Sequence, residues 1–288
     1  MKVKWHRGLG VLVLAAMMVT LAGSASAAGR PPVTLPEQAK WVAPGVYYLG
    51  TAIDRDRLVE GYAFVRYKKA FGKPGTECGN GICEPGENAN KCPQDCGGGE
   101  EPDGSSCYSF LARGARWRAV EPYLVDPTND WDLSPTFVRG NVATDIAKWE
   151  RSAGMDILGD ETSGTVDGAD TESPDGKNEL YFGEIAEEGA IAMTIVWGVF
   201  RAPPSARQLV EWDQVYDQVD FGWSDSGETG RMDFENIATH ELGHSVGMGD
   251  LYTTDCSEQT MYGYASEGET KKRTLEAGDI AGVRELYQ

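Results

Sequence analysis

The stretch 236–252, NIATHELGHSVGMGDLY, restricts this chain more than any other, because it asks for a helix with two unlike faces followed by a reversal of direction. On a helix over 233–246, Phe234, Ala238, Leu242 and Val246 form an apolar row that can face a core. His240 and His244 form a neighbouring row with Ile237 above them. Residues four apart differ by about 40° around the axis and about 6 Å along it, so both imidazoles reach one ion. Glu241 is turned about 100° from His240 and flanks that ion without having to bind it.

A third ligand has to come from another residue type, because the chain has 3 histidines and the remaining one, His6, lies near the N-terminus. Asp250 is the nearest candidate, but a continuing helix would carry it away. Gly247 and Gly249 permit a turn there, since a glycine past the last helical residue takes the left-handed conformation cheaply. Two neutral nitrogens, one carboxylate oxygen and an open fourth position suit one catalytic zinc ion better than a closed structural site. Such an ion brings the pKa of a bound water towards about 7. Glu241 is placed to act as general base.

HELGHSVGMGD resembles the zinc signature of the metzincin clan of metallopeptidases, and TMYGYASEGETKKRTLEAGDIAGVRELY (260–287) is similar to the end of a matrixin-type catalytic domain. The resemblance implies an α+β zincin domain: a twisted, mostly parallel five-stranded sheet, three helices, and a C-terminal methionine turn carried here by Met261. It implies a secreted zinc metalloendopeptidase acting on an extended peptide or protein, including extracellular matrix. On that reading the strand 190–196 forms the rim that pairs with substrate, with Ile191 and Ala192 nearest the scissile bond. Tyr262 and Tyr264 are the further substrate-binding candidates, as possible partners of the oxyanion.

Several departures qualify the resemblance. The usual third histidine is Asp250, a variant seen in snapalysin-like enzymes, and no histidines remain for a second, structural zinc. The proline after the methionine turn is Gly263, and an aspartate pair near the last helix is reduced to Gly278-Asp279. The inhibitory P-R-C-G segment is absent, TECGNG around Cys78 sharing only Cys-Gly, which argues against latency by a cysteine switch. A competing reading is a catalytically silent zincin-type binding or adhesion protein, against which the presence of Glu241 speaks.

Residues 1–27 read as an export signal, with Lys2, Lys4 and Arg7 ahead of an apolar run ending in Ala25-Ser26-Ala27. The expected destination is extracellular, or periplasmic or at the cell surface, as a monomer without a membrane span. The net charge of −19 disfavours nucleic acid and anionic membrane. Residues 28–77 read as a pro-region or small β-rich unit, 78–96 as a four-cysteine module, 97–106 as a flexible linker and 107–288 as the peptidase domain. An inhibitory role for 28–96 is a further expectation.

Six cysteines in an exported chain point to disulfides. Cys78, Cys83, Cys92 and Cys96 cluster, leaving Cys107 and Cys256 as the expected long-range pair. Along the last domain the periodicity predicts helices over 135–152, 233–246 and 276–287, and strands over 179–185, 190–200 and 218–223. The Gly- and Asp-rich loop 153–178 (Asp156, Asp160, Asp167, Asp170, Asp175) could also hold structural calcium.

Overall fold

Ser134 and Pro135 start the first helix as their chemistry requires: the Ser134 hydroxyl accepts the Phe137 N–H at 3.1 Å, and proline occupies the first turn. This helix, α1 (Pro135–Ala153), ends at Gly154, whose φ of 74° is the left-handed conformation glycine adopts without strain. It buries Val138, Val142, Ile146 and Trp149, the row its 3.6-residue period sets apart. Helix α2 (Phe234–Ser245) carries the histidines, and α3 (Ala277–Tyr287) closes the chain behind a reciprocal capping box between Glu276 and Asp279. The computed structural model describes Met1, residues 30–68 and residues 106–288. The expectations for the export signal, for the module with Cys78, Cys83, Cys92 and Cys96, and for most of the linker concern residues outside that set.

The strands are β1 (Lys40–Ala43), β2 (Val46–Asp54), β3 (Arg57–Lys68), β4 (Leu124–Asp126), β5 (Glu179–Gly183), β6 (Ala190–Val199), β7 (Gln208–Asp217), the short pair β8 (Trp223–Ser224) and β9 (Met232–Asp233), and β10 (Tyr264–Ala265). One sheet runs in the order β1-β2-β3-β6-β7-β5-β4, with β10 beside β3. Within 107–288, β4, β5 and β7 are mutually parallel and β6 is antiparallel to β7. The protein is therefore α+β, with three helices packed on a mixed sheet among the described residues.

The sheet matches expectation in its domain core and departs from it in two places. Within 107–288 the sheet is mostly parallel with β6 as its antiparallel strand, as expected, and the strand-rich segment before the cysteine module extends it to eight strands by adding β1, β2 and β3 antiparallel at its edge. The strand expected at 218–223 lies earlier, at β7: Glu211 and Asp213 interrupt its apolar alternation, and both are buried at 1 % exposure. Strand β6 is not a rim, since β3 covers its outer side in register from Glu60 opposite Gly198 to Tyr67 opposite Ala190.

The sheet buries both faces. Towards the helices lie Phe64, Trp212, Tyr216 and the apolar rows of α1 and α2, and on the opposite face lie Val59, Ala63, Met193, Trp197 and Val215. Each such side chain contributes about 1.5–3 kcal/mol when fully buried. Cys107 and Cys256 form the expected long-range disulfide, with a sequence separation of 149. Loop-closure entropy makes it worth about 5 kcal/mol, so the Cys107→Ala/Cys256→Ala protein should melt well below the parent in calorimetry. Equal melting temperatures would show that the bond does not constrain the unfolded chain.

Candidate active site

Helix α2 is held at its N-terminus by Asp233, which accepts the Asn236 N–H at 3.0 Å and pairs with Arg273. His240 and His244 emerge one turn apart, 0 % and 1 % exposed, with ring centroids 4.9 Å apart. Each ring uses Nδ1 on a backbone carbonyl, His240 on Thr260 at 2.7 Å and His244 on Met248 at 3.0 Å. With Nδ1 as the donor, Nε2 keeps its lone pair for a ligand. Past Ser245 the chain turns at Gly247, whose φ is 101°, and returns so that Asp250 Oδ1 lies 3.2 Å from His240 Nε2 and 3.5 Å from His244 Nε2. Gly249 meets a different demand, because a Cβ there would stand 3.0 Å from Ser109 Oγ and the Phe110 carbonyl carbon.

These three side chains form a donor set that fits a metal ion. Their candidate ligand atoms lie within 4.8 Å of one another. His240 Nε2 and Asp250 Oδ1 are buried without a hydrogen-bond partner, as atoms reserved for a cation would be. Burial, helped by the Arg66 charge, pushes His240 down to about 3, so it is neutral and able to donate a lone pair. Burial also acts to lower His244, but the Asp250 carboxylate outweighs it and raises that pKa. Burial acts to raise Asp250, and the two imidazoles outweigh it, holding its carboxyl well below the usual range and therefore ionised.

Glu241 stands beside this set without joining it. Its Oε2 accepts the Thr194 hydroxyl of β6 at 2.6 Å, and its Oε1 is buried with no partner. Burial raises its pKa, in the direction that suits a proton acceptor working near neutral pH. Met261 lies under the helix at 0 % exposure against Gly243, where a Cβ would overlap its sulfur and come within 2.8 Å of the Trp149 ring. The Met261 turn is fastened by Asp279, whose carboxylate accepts the N–H groups of Thr260 (2.8 Å), Met261 (3.1 Å) and Glu276 (2.9 Å).

The other candidate residues are near but differently placed. Ile191 and Ala192 are fully buried inside the sheet, and Ala192 faces Arg66 of β3 and Tyr216 of β7 rather than solvent. Tyr262 and Tyr264 pack edge to face with centroids 5.9 Å apart, and Tyr264 also meets Tyr252, whose hydroxyl donates to Asp250 at 3.3 Å. Sequence reasoning missed Thr194, Phe64 and Arg66, and marked Asp279 only as what is left of an aspartate pair. The Phe64 ring stacks on His244 at 4.1 Å and 19°, and Arg66, 2 % exposed, sits where the charges of Glu241 and Asp250 act on it. A lone threonine in IAMTIVW and a lone arginine in AFVRY were the available signals.

A second carboxylate group lies apart from this site. Asp170, Glu211 and Asp213 bring oxygens within 4.8 Å of one another, and only the first of the three was flagged by the loop's composition. Asp213 accepts the N–H groups of Asp170 (2.9 Å) and Glu179 (3.2 Å), and Glu211 Oε2 accepts that of Gly176. Glu211 Oε1 is buried without a partner, and Lys177 at the rim pairs instead with Asp167 at 2.7 Å. Burial pushes Glu211 up to about 9, and burial together with Asp175 pushes Asp170 up to about 6.

Comparison with known proteins bears on the motif-bearing C-terminal segment. A family model described as Matrixin matches residues 186–288, from just before β6 to Gln288. Matrilysin from Rattus norvegicus is 35 % identical over 75 residues, and matrilysin from Homo sapiens is 37 % identical over 75 residues, in each case 26 % of this chain and 26 % of the relative. The chain thus spans about a quarter of the length of the curated relatives it matches. Residues 186–288, which hold α2, its glycine turn and the Met261 turn, are similar to a matrixin metallopeptidase domain.

Proposed function

We propose that this protein is a secreted zinc metalloendopeptidase of matrixin type, with His240, His244 and Asp250 as the metal ligands, Glu241 as general base and Met261 as the floor of the site. The observation that carries the reading is the convergence of two buried imidazoles and one ionised carboxylate on a common point, with Glu241 beside it and unligated. Zinc, when bound there, supplies a Lewis acid that polarises a peptide carbonyl and acidifies water. Glu241, steadied by Thr194, takes the proton of the attacking water on Oε1 and returns it to the departing amine. Thr260 and Met248 hold the imidazoles in the ligand tautomer, and Asp279 keeps the Met261 turn beneath them. The substrate class is an extended peptide or protein.

The test is casein hydrolysis by the secreted protein before and after chelation with 1,10-phenanthroline. Loss on chelation and recovery with zinc support the reading, and hydrolysis that survives removal of all metal contradicts it.

The trio Asp170, Glu211 and Asp213 is proposed to bind structural calcium, an oxygen-only set suited to a hard cation. Without a cation these carboxyls ionise at higher pH in the folded protein than in the unfolded chain, where they titrate near about 4. The folded state then holds the extra protons, so the contribution of this trio to stability is greatest at about pH 4 and below and falls as pH rises towards about 9. Calcium should raise the melting temperature at pH 8 and not at pH 4, and Glu211→Gln should abolish the difference. Calcium-independent melting at pH 8 would remove the site.

A further inference from the structure

Asp250 reaches the two histidines from a turn beyond the end of α2, so no helix aims its carboxylate. A carboxylate has two equivalent oxygens on a side chain that swings about its torsions, and it can meet a cation through one oxygen or both. The structure tells the two oxygens apart. Oδ1 faces Nε2 of both imidazoles and has no hydrogen-bond partner, whereas Oδ2 accepts the Tyr252 hydroxyl at 3.3 Å. Among the described residues that hydroxyl is the only donor to the carboxylate apart from the imidazoles.

Tyr252 is in turn seated on the Met261 turn. Leu251 donates its N–H to the Met261 carbonyl at 2.9 Å, Gly263 donates to the Leu251 carbonyl at 2.8 Å, and the two segments thus run side by side in parallel. The Tyr252 ring lies over Gly263, where a Cβ would stand 2.4 Å from ring atom Cε1 and 2.8 Å from the hydroxyl oxygen. The φ of Gly263 is outside the left-handed region, so space rather than conformation calls for glycine at this close approach. Tyr264 meets the Tyr252 ring edge to face, with centroids 5.3 Å apart.

We infer that Tyr252, seated on Gly263, is a positioning residue that holds Oδ2 of Asp250 and so presents Oδ1 alone to the metal. The inference rests on the reading of His240, His244 and Asp250 as the ligands. Two departures from the matrixin pattern, aspartate at 250 and glycine at 263, become parts of one device. The short carboxylate needs a donor behind it, and the ring that carries the donor needs a neighbour without a Cβ. What the device protects is an open position. Two imidazoles and one oxygen leave a fourth position of the ion free, while a carboxylate binding through both oxygens would fill it.

The experiment measures zinc affinity of the full chain by competition with a chromophoric chelator, for the parent, Tyr252→Phe, Gly263→Ala and the double variant. Tyr252→Phe keeps the ring and removes only the hydroxyl; it should weaken zinc binding by about 10–100-fold, because an unanchored ligand has to be ordered when the ion binds. Gly263→Ala keeps the hydroxyl but displaces the ring, and should weaken binding to a similar extent. The double variant should be no weaker than the weaker single one, since both changes remove the same contact.

The visible spectrum of the cobalt-substituted protein reads the number of ligands. The parent should show the intense bands of a four-coordinate ion, and Tyr252→Phe the fainter bands of a five-coordinate one, as both oxygens of the freed carboxylate reach the metal. An unchanged affinity or an unchanged spectrum in Tyr252→Phe would overturn the inference, as would additive losses in the double variant. A parent protein that binds no zinc rejects the ligand reading instead, and that result is seen before any variant is compared.

Discussion

Glu241→Ala is expected to lower turnover on a protein substrate by about 10²–10⁴ while leaving about one zinc per chain, because general-base catalysis contributes on that scale and the residue is not a ligand. The structure gives the reason for the separation. The carboxylate of Glu241 is anchored on Thr194 rather than on either imidazole, and its free oxygen is the unpartnered Oε1. Glu241→Gln should behave alike, since the amide keeps an acceptor for Thr194 and cannot take up a proton. Zinc content measured on the same preparations separates a lost base from a lost metal. Retained activity in either variant would remove Glu241 from the mechanism.

Asp250→Ala should fail at the earlier step. Removing the one anionic member of the donor set leaves two neutral imidazoles, and zinc affinity should fall by more than about 100-fold, since loss of an outer-shell partner alone costs 10–100-fold. The Tyr252 hydroxyl would also lose its acceptor. Activity should disappear and return in part at high zinc. Competition with a chromophoric chelator measures the affinity, and an unchanged value would exclude Asp250 as a ligand and leave the histidines without their third partner.

The local chemistry of α2 was legible because its residues act at short range. The spacing of His240 and His244, the apolar row from Phe234 to Val246, and the left-handed turn at Gly247 all follow from helical period and glycine's freedom. The Cys107–Cys256 bond was legible by elimination, once the other four cysteines were seen to cluster. The sheet was less so. Strand β7 escaped because Glu211 and Asp213 read as surface residues, whereas burial beside Asp170 gives them a different role.

Pairing between distant strands was least legible. Nothing in GYAFVRYKK says that it lies against β6 and β10, and a rim strand with an unfilled edge looks the same in sequence as one covered by another segment of its own chain. Thr194 and Arg66 acquire meaning only through that pairing, since each meets Glu241 from a different strand.

Anomalous diffraction at the zinc edge on crystals of the purified protein tests the central claim most directly. The account predicts a single peak about 2.0–2.2 Å from Nε2 of His240, Nε2 of His244 and a carboxylate oxygen of Asp250, with Glu241 outside bonding distance. A peak at the Asp170 group alone, or none between the two imidazoles of zinc-saturated protein, would contradict it.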